Sequence, residues 1–141
     1  MSYLNPHTTG STDASEAVNA WHNRPPVADQ DVERTDRTGG VLYEVARERS
    51  RQDARWGEQN HPDSNPEDHY TGRAEFAENA ERWKLINAER AGRGAIAWDG
   101  VLLEEVFEAL AEDDPVKLRA ELVQVAAVAV AQIEAIDRRQ P

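Results

Sequence analysis

The sequence predicts an all-α protein, a four-helix bundle. Three observations carry this prediction. Apolar residues recur at helical spacing along segments 41–56, 72–90 and 98–111. Asp114 followed by Pro115 reads as an N-cap and first-turn proline, opening a fourth helix. From Leu122 through Ile133 the only polar residues are Gln124 and Gln132, so this helix is apolar over more than one face and needs neighbours on several sides.

Residues 1–38 mix Ser, Thr, Asn, Asp and Pro with little periodicity and are expected to form a flexible leader without a catalytic role. Within it, Ala14 to His22 offers a transient helix or a docking segment through Trp21. Gly39-Gly40 should break the chain before the helical domain, residues 39–141.

The first helix is expected over 41–56, where Leu42, Val45, Ala46 and Arg49 lie close to one stripe and the opposite face is charged. Gly57 to Thr71 is rich in turn formers and reads as a loop. The second helix is expected over 72–90, with Phe76, Ala80, Trp83 and Asn87 at helical spacing, and Ala91-Gly92-Arg93-Gly94 should end it. The third runs from Trp98 to Ala111 with an apolar stripe of Leu103, Val106, Phe107 and Leu110. The short Glu112-Asp113-Asp114 connection turns the chain into the fourth, which continues to about Asp137. A second subunit is the simplest source of the neighbours that this last helix lacks.

The 141 residues carry 27 acidic and 16 basic side chains, a formal net charge of -11. Such a chain repels a nucleic-acid backbone, and no dense basic patch offsets this. There is no cysteine, which excludes disulfides, thiolate catalysis and cysteine-ligated zinc. No signal-like amino terminus or bilayer-length apolar run is present, so the expectation is a soluble cytoplasmic protein without a membrane partner.

The chemistry concentrates on the third and fourth helices. Glu104, Glu105 and Glu108 occupy the arc opposite the apolar stripe of LLEEVFEAL, and Glu121 follows in RAELVQ. At about 100° per residue, Glu104 and Glu108 stack one turn apart, Glu105 reaches Glu108, and Glu121 neighbours Gln124. If the connection reverses the chain, Glu121 returns level with Glu104 to Glu108. Four carboxylates at close range repel unless a hard cation such as Mg²⁺ coordinates them. The competing reading is a solvated acidic face, because glutamate is a good helix former and these residues lie away from the apolar stripe.

With Glu104-Glu105-Val106-Phe107-Glu108 followed after twelve residues by Glu121, the chain resembles the all-α nucleoside triphosphate pyrophosphohydrolases of the MazG-like family. Their pattern is Glu-Glu-x-x-Glu and a later Glu-x-x-Asp; here Gln124 stands at the Asp position. The block Arg51-Gln52-Asp53-Ala54-Arg55-Trp56-Gly57-Glu58-Gln59-Asn60-His61-Pro62 looks like one in actinobacterial and phage members of that group.

The resemblance implies a MazG-like helical bundle completed as a homodimer or homotetramer. It also implies Mg²⁺-dependent hydrolysis of a nucleoside triphosphate to monophosphate and pyrophosphate. Glu104, Glu105, Glu108 and Glu121 are then the catalytic and metal residues, with Gln124 as an uncharged further ligand, so that one ion is held well and a second weakly or not at all. A non-catalytic helical interaction protein with a vestigial or regulatory metal site is the alternative.

Lys84, Arg51, Arg55 and Arg90 are candidate triphosphate contacts, because ammonium and guanidinium groups suit phosphate oxygens. Each is equally readable as a surface ion-pair residue, and Lys84 is the first choice among them. Trp56 and Trp83 read either as walls of a base pocket or as core, and Trp98 as an anchor for the third helix. His61 and His69 share no fixed face, which argues against a zinc pair and leaves His61 as a base or loop contact. Gly92-Arg93-Gly94 lacks the spacing of a phosphate-cradling loop.

Overall fold

The computed structural model describes residues 29–65 and 72–141, with side chains from residue 36 onward. Most of the 1–38 leader, including Trp21, lies outside the described residues, as does His69 in the first loop. The architecture is a four-helix all-α bundle of α1 (Asp29–Trp56), α2 (Arg73–Gly92), α3 (Trp98–Ala111) and α4 (Pro115–Arg139). Residues Asp36–Pro141 form one compact unit. No helix among the described residues is long and apolar enough to cross a membrane.

Local chemistry explains most boundaries. Gly57 adopts φ 69° just past α1, and its N–H donates to the Asp53 carbonyl at 2.8 Å. Gly94 adopts φ 66° after α2, and the Ala95 N–H returns to the Arg90 carbonyl at 2.8 Å. Both turns close orphaned helix carbonyls in a left-handed conformation that glycine enters without a Cβ penalty. At the start of α4 the Asp114 carboxylate accepts from the Val116 and Lys117 N–H groups at 2.9 and 3.2 Å, with Pro115 in the first turn. The Glu112 carboxylate accepts from the Asp113 and Asp114 N–H groups, both at 3.0 Å, which stiffens the α3–α4 connection.

One boundary differs from expectation. Helix α1 begins at Asp29 and runs through Gly39 and Gly40 without a break. Each glycine lowers helix stability by about 1 kcal/mol relative to alanine, too little to end a helix of this length once neighbouring residues are anchored. Two anchors flank the pair: Val41 is buried, and the Thr38 hydroxyl donates to Glu134 Oε1 of α4 at 2.6 Å.

Helix α3 is the centre of the unit, packing against α2 on one side and α4 on the other. The predicted stripes meet here: Phe76 of α2 stacks on Phe107 of α3 with ring centroids 6.4 Å apart, and Ala80 is buried in α2. The core is thin. Among the described residues the buried apolar side chains are Val41, Ala80, Ala109 and Val130, all of modest size. On α4, Leu122 and Val123 remain about half exposed, so the apolar excess seen in the sequence is not fully covered by the described residues.

Candidate metal centre on α3 and α4

The hairpin between α3 and α4 brings Glu121 back beside the carboxylates of α3. Glu105, Glu108 and Glu121 each offer an oxygen, and the three oxygens lie within 4.8 Å of one another. All three side chains are half-buried rather than fully solvated. The face opposite the predicted apolar stripe is therefore not a free surface, because α2 and α4 flank it.

Partial burial and crowding show in the electrostatics. The Glu105 carboxyl is held above its ordinary value, first by burial and then by the negative charges of Glu108, Glu104 and Glu121. Burial and neighbouring negative charge both disfavour the ionised carboxylate. The donor set fits a hard divalent cation: three carboxylate oxygens, no sulfur or nitrogen ligand, and mutual repulsion that a cation would relieve.

A groove of about 350 Å³ opens beside the triad, lined by Glu81, Glu108, Glu112 and Glu121 with Ala77, Ala80 and Ala111. The alanines leave space where larger side chains would fill it. Lys84 stands near this groove, its Nζ 3.2 Å from Glu108 Oε1 and 3.4 Å from Glu81 Oε1. These carboxylates hold the Lys84 ammonium above its usual range, the hydrogen bond to Glu108 contributing most.

Glu104 faces a different neighbour. Its Oε2 accepts from Asn87 Nδ2 of α2 at 2.6 Å, and it is not one of the three mutually close carboxylates. Gln124, one turn beyond Glu121, is exposed. The structure thus brings together Glu105, Glu108 and Glu121 with Lys84 alongside, places Glu104 against α2, and leaves Gln124 facing solvent.

The remaining candidates have partners elsewhere. Arg51 pairs with Glu48 at 2.8 Å and Arg55 lies over the Trp56 ring at 5.0 Å, both within α1. Trp56 is 55% exposed and His61 lies exposed in the loop that follows. Arg90 pairs with Asp99 at 2.7 Å and lies over Trp83 at 5.6 Å, clipping the end of α2 to the start of α3. Sequence reasoning placed Asn87 among the stripe residues and missed its bond to Glu104. An amide on an otherwise apolar stripe, level with a glutamate helix, was the available signal.

The raised Glu105 pKa gives a pH prediction for chelator-treated protein. A carboxyl raised in the fold contributes stability that is fully present below its unfolded pKa and is lost as pH rises through its folded value. Thermal melts from acid to neutral pH should therefore show wild type losing stability relative to Glu105→Gln, with the gap opening above the ordinary glutamate range. Parallel curves for the two proteins would contradict the crowding described above.

Compared with known proteins, the chain matches no family model, and no curated protein or solved structure is significantly similar to it.

Proposed function

We propose that Glu105, Glu108 and Glu121 hold a divalent cation, Mg²⁺ by the chemistry of the ligands. We further propose that the protein uses this centre to hydrolyse a (deoxy)nucleoside triphosphate to the monophosphate and pyrophosphate. The observation that carries the cation centre is the convergence of three half-buried carboxylate oxygens from two helices within 4.8 Å. The reaction rests on the resemblance of Glu104-Glu105-x-x-Glu108 and Glu121 to the MazG-like pattern.

When bound, Mg²⁺ neutralises phosphate oxygens and orients an attacking water. The chain's own contribution is positional. Glu105 and Glu108 present oxygens from one helix and Glu121 from the next, while Glu104 adds a further negative group beside them. Lys84, whose ammonium meets Glu108, is assigned to the phosphate chain, its ammonium moving from Glu108 to phosphate as substrate arrives. Arg51, Arg55, Arg90, Trp56 and His61 are assigned to substrate contacts, and Gln124 to a weak additional ligand position. The exposed Leu122 and Val123 of α4 support a homodimer or homotetramer.

A second reading is a non-catalytic helical interaction protein with a vestigial or regulatory metal site. Lys84 already compensates Glu108, Asn87 occupies Glu104, and Gln124 faces away from the protein, so the side-chain arrangement by itself goes no further than cation binding.

A nucleotide panel with Mg²⁺, reading monophosphate and pyrophosphate separately, distinguishes the two. Equal amounts of both products, abolished by Glu108→Gln, are expected for the hydrolase. Folded, cation-loaded protein that turns over none of the common NTPs and dNTPs would leave the interaction reading. Release of orthophosphate would place the cut at a different bond.

A further inference from the structure

Asn87 lies on α2, facing α3, and both hydrogens of its amide are committed. Nδ2 donates to the Gly100 carbonyl at 2.9 Å and to Glu104 Oε2 at 2.6 Å. Both partners are pure acceptors, so the amide fits only with nitrogen toward them. The consequence is that Asn87 Oδ1 points away and stays buried without a hydrogen-bond partner, the one such side-chain atom among the described residues. An unpaired buried oxygen is costly to the fold, so the two bonds made by Nδ2 outweigh it in setting the orientation of the amide.

Gly100 completes the fit. A Cβ there would overlap Asn87 Oδ1 and stand 2.9 Å from the Arg90 guanidinium, so a glycine in the first turn of α3 makes room for the amide. Three positions on two helices thus converge on one bond, the bond to Glu104.

The charge of Glu104 makes that bond consequential. On α3, Glu104 directly precedes Glu105 and lies one turn before Glu108, so it lies within electrostatic reach of the triad. Glu108 is held by an ammonium that compensates its charge, whereas Glu104 is held by a neutral donor that leaves its charge intact. An amide orients a carboxylate without removing it from the electrostatics of the site.

We infer that Asn87 is a positioning residue, which fixes Glu104 as a fourth, outer carboxylate beside the Glu105, Glu108 and Glu121 centre and thereby sets the affinity of that centre for a divalent cation. This rests on the proposed cation-binding reading. Carboxylate partners of this kind, when removed, typically change metal affinity by about 10-fold or more.

The test is Mn²⁺ titration of the full chain, followed by calorimetry and by the loss of the free-ion resonance, for wild type, Asn87→Leu, Glu104→Gln and the double variant. Asn87→Leu should weaken binding by about tenfold. The double variant should be no weaker than Glu104→Gln alone, a non-additivity that a merely structural role would not produce. Unchanged affinity in Asn87→Leu, or full additivity, overturns the inference. Should Asn87→Leu lose its helical circular dichroism, Asn87→Ala serves in its place, and unchanged affinity in Glu104→Gln alone overturns the inference without any change at position 87. Wild type that takes up no Mn²⁺ overturns the cation centre itself, an outcome distinct from a wild type that binds and an Asn87 variant that does not respond.

Discussion

On the proposed cation centre, Glu121→Gln is expected to weaken divalent-cation binding by at least about tenfold and to abolish the stabilisation that added Mg²⁺ would give the wild-type fold. Glu121 is the only member of the triad that α4 supplies, so in the proposed centre its charge would tie the two arms of the hairpin to one ion. Removing that charge leaves two adjacent glutamates on α3, a pair that any helical surface offers. The same substitution relieves repulsion on Glu105, because Glu121 is one of the charges raising it. The cation-free variant should therefore melt no lower than wild type at neutral pH, while failing to gain stability when Mg²⁺ is added. Differential scanning fluorimetry with and without Mg²⁺ reads both effects. A variant that keeps the full Mg²⁺-induced shift would remove α4 from the centre. Gln124→Asp provides the counterpart: it adds a charge at an exposed position, and unchanged ion stoichiometry would show that α4 contributes through Glu121 alone.

Ala109→Leu should destabilise the fold by about 1–3 kcal/mol, with loss of cation affinity following from the displaced helix. Ala109 is 2% exposed, the most deeply buried apolar side chain among the described residues, and it directly follows Glu108 on α3. Helix α3 packs on α2 and α4 at once, so a larger side chain at its buried position must displace one of these neighbours. For a domain near 100 residues, that cost corresponds to a melting temperature lower by roughly 4–8 °C per kcal/mol. Urea denaturation followed by circular dichroism measures it, and a variant as stable as wild type would show that the interhelix spacing at α3 is slack. Ala111→Ser makes a suitable control, because Ala111 faces the open groove and the added hydroxyl meets solvent.

These two expectations lie on different links of one chain. Ala109 sets how closely α3 approaches its neighbours, and that approach decides whether carboxylates from two helices share a site. The thin core makes the second link sensitive to the first. With four small apolar side chains buried, little packing energy resists a shift of α3.

Much of this protein was legible locally. The Asp114-Pro115 start of α4, the glycine endings of α1 and α2, and the extents of α2 and α3 follow from capping and backbone preferences within a few residues. The return of Glu121 to the level of Glu104 to Glu108 was also readable, because a three-residue connection between helices forces the chain back on itself. Gly39-Gly40 misled for the same local reason: a doubled glycine signals a break, but the helix persists where Val41 is buried and Thr38 reaches Glu134.

What the sequence determined alone was the class of structure and the chemical character of its acidic face. Helical period, caps and short connections act within one or two turns, and a one-dimensional pattern records them fully. Only the tertiary structure decided which carboxylates of Glu104-Glu105-x-x-Glu108 join Glu121 and which turns to Asn87. It also decided that Lys84 stands on Glu108 while Arg51 and Arg55 stay paired within α1. Those choices depend on how α2 and α4 are rotated against α3. The rotation of α2 against α3 rests on contacts such as Phe76 on Phe107 and on the room left at Gly100, between residues of different helices.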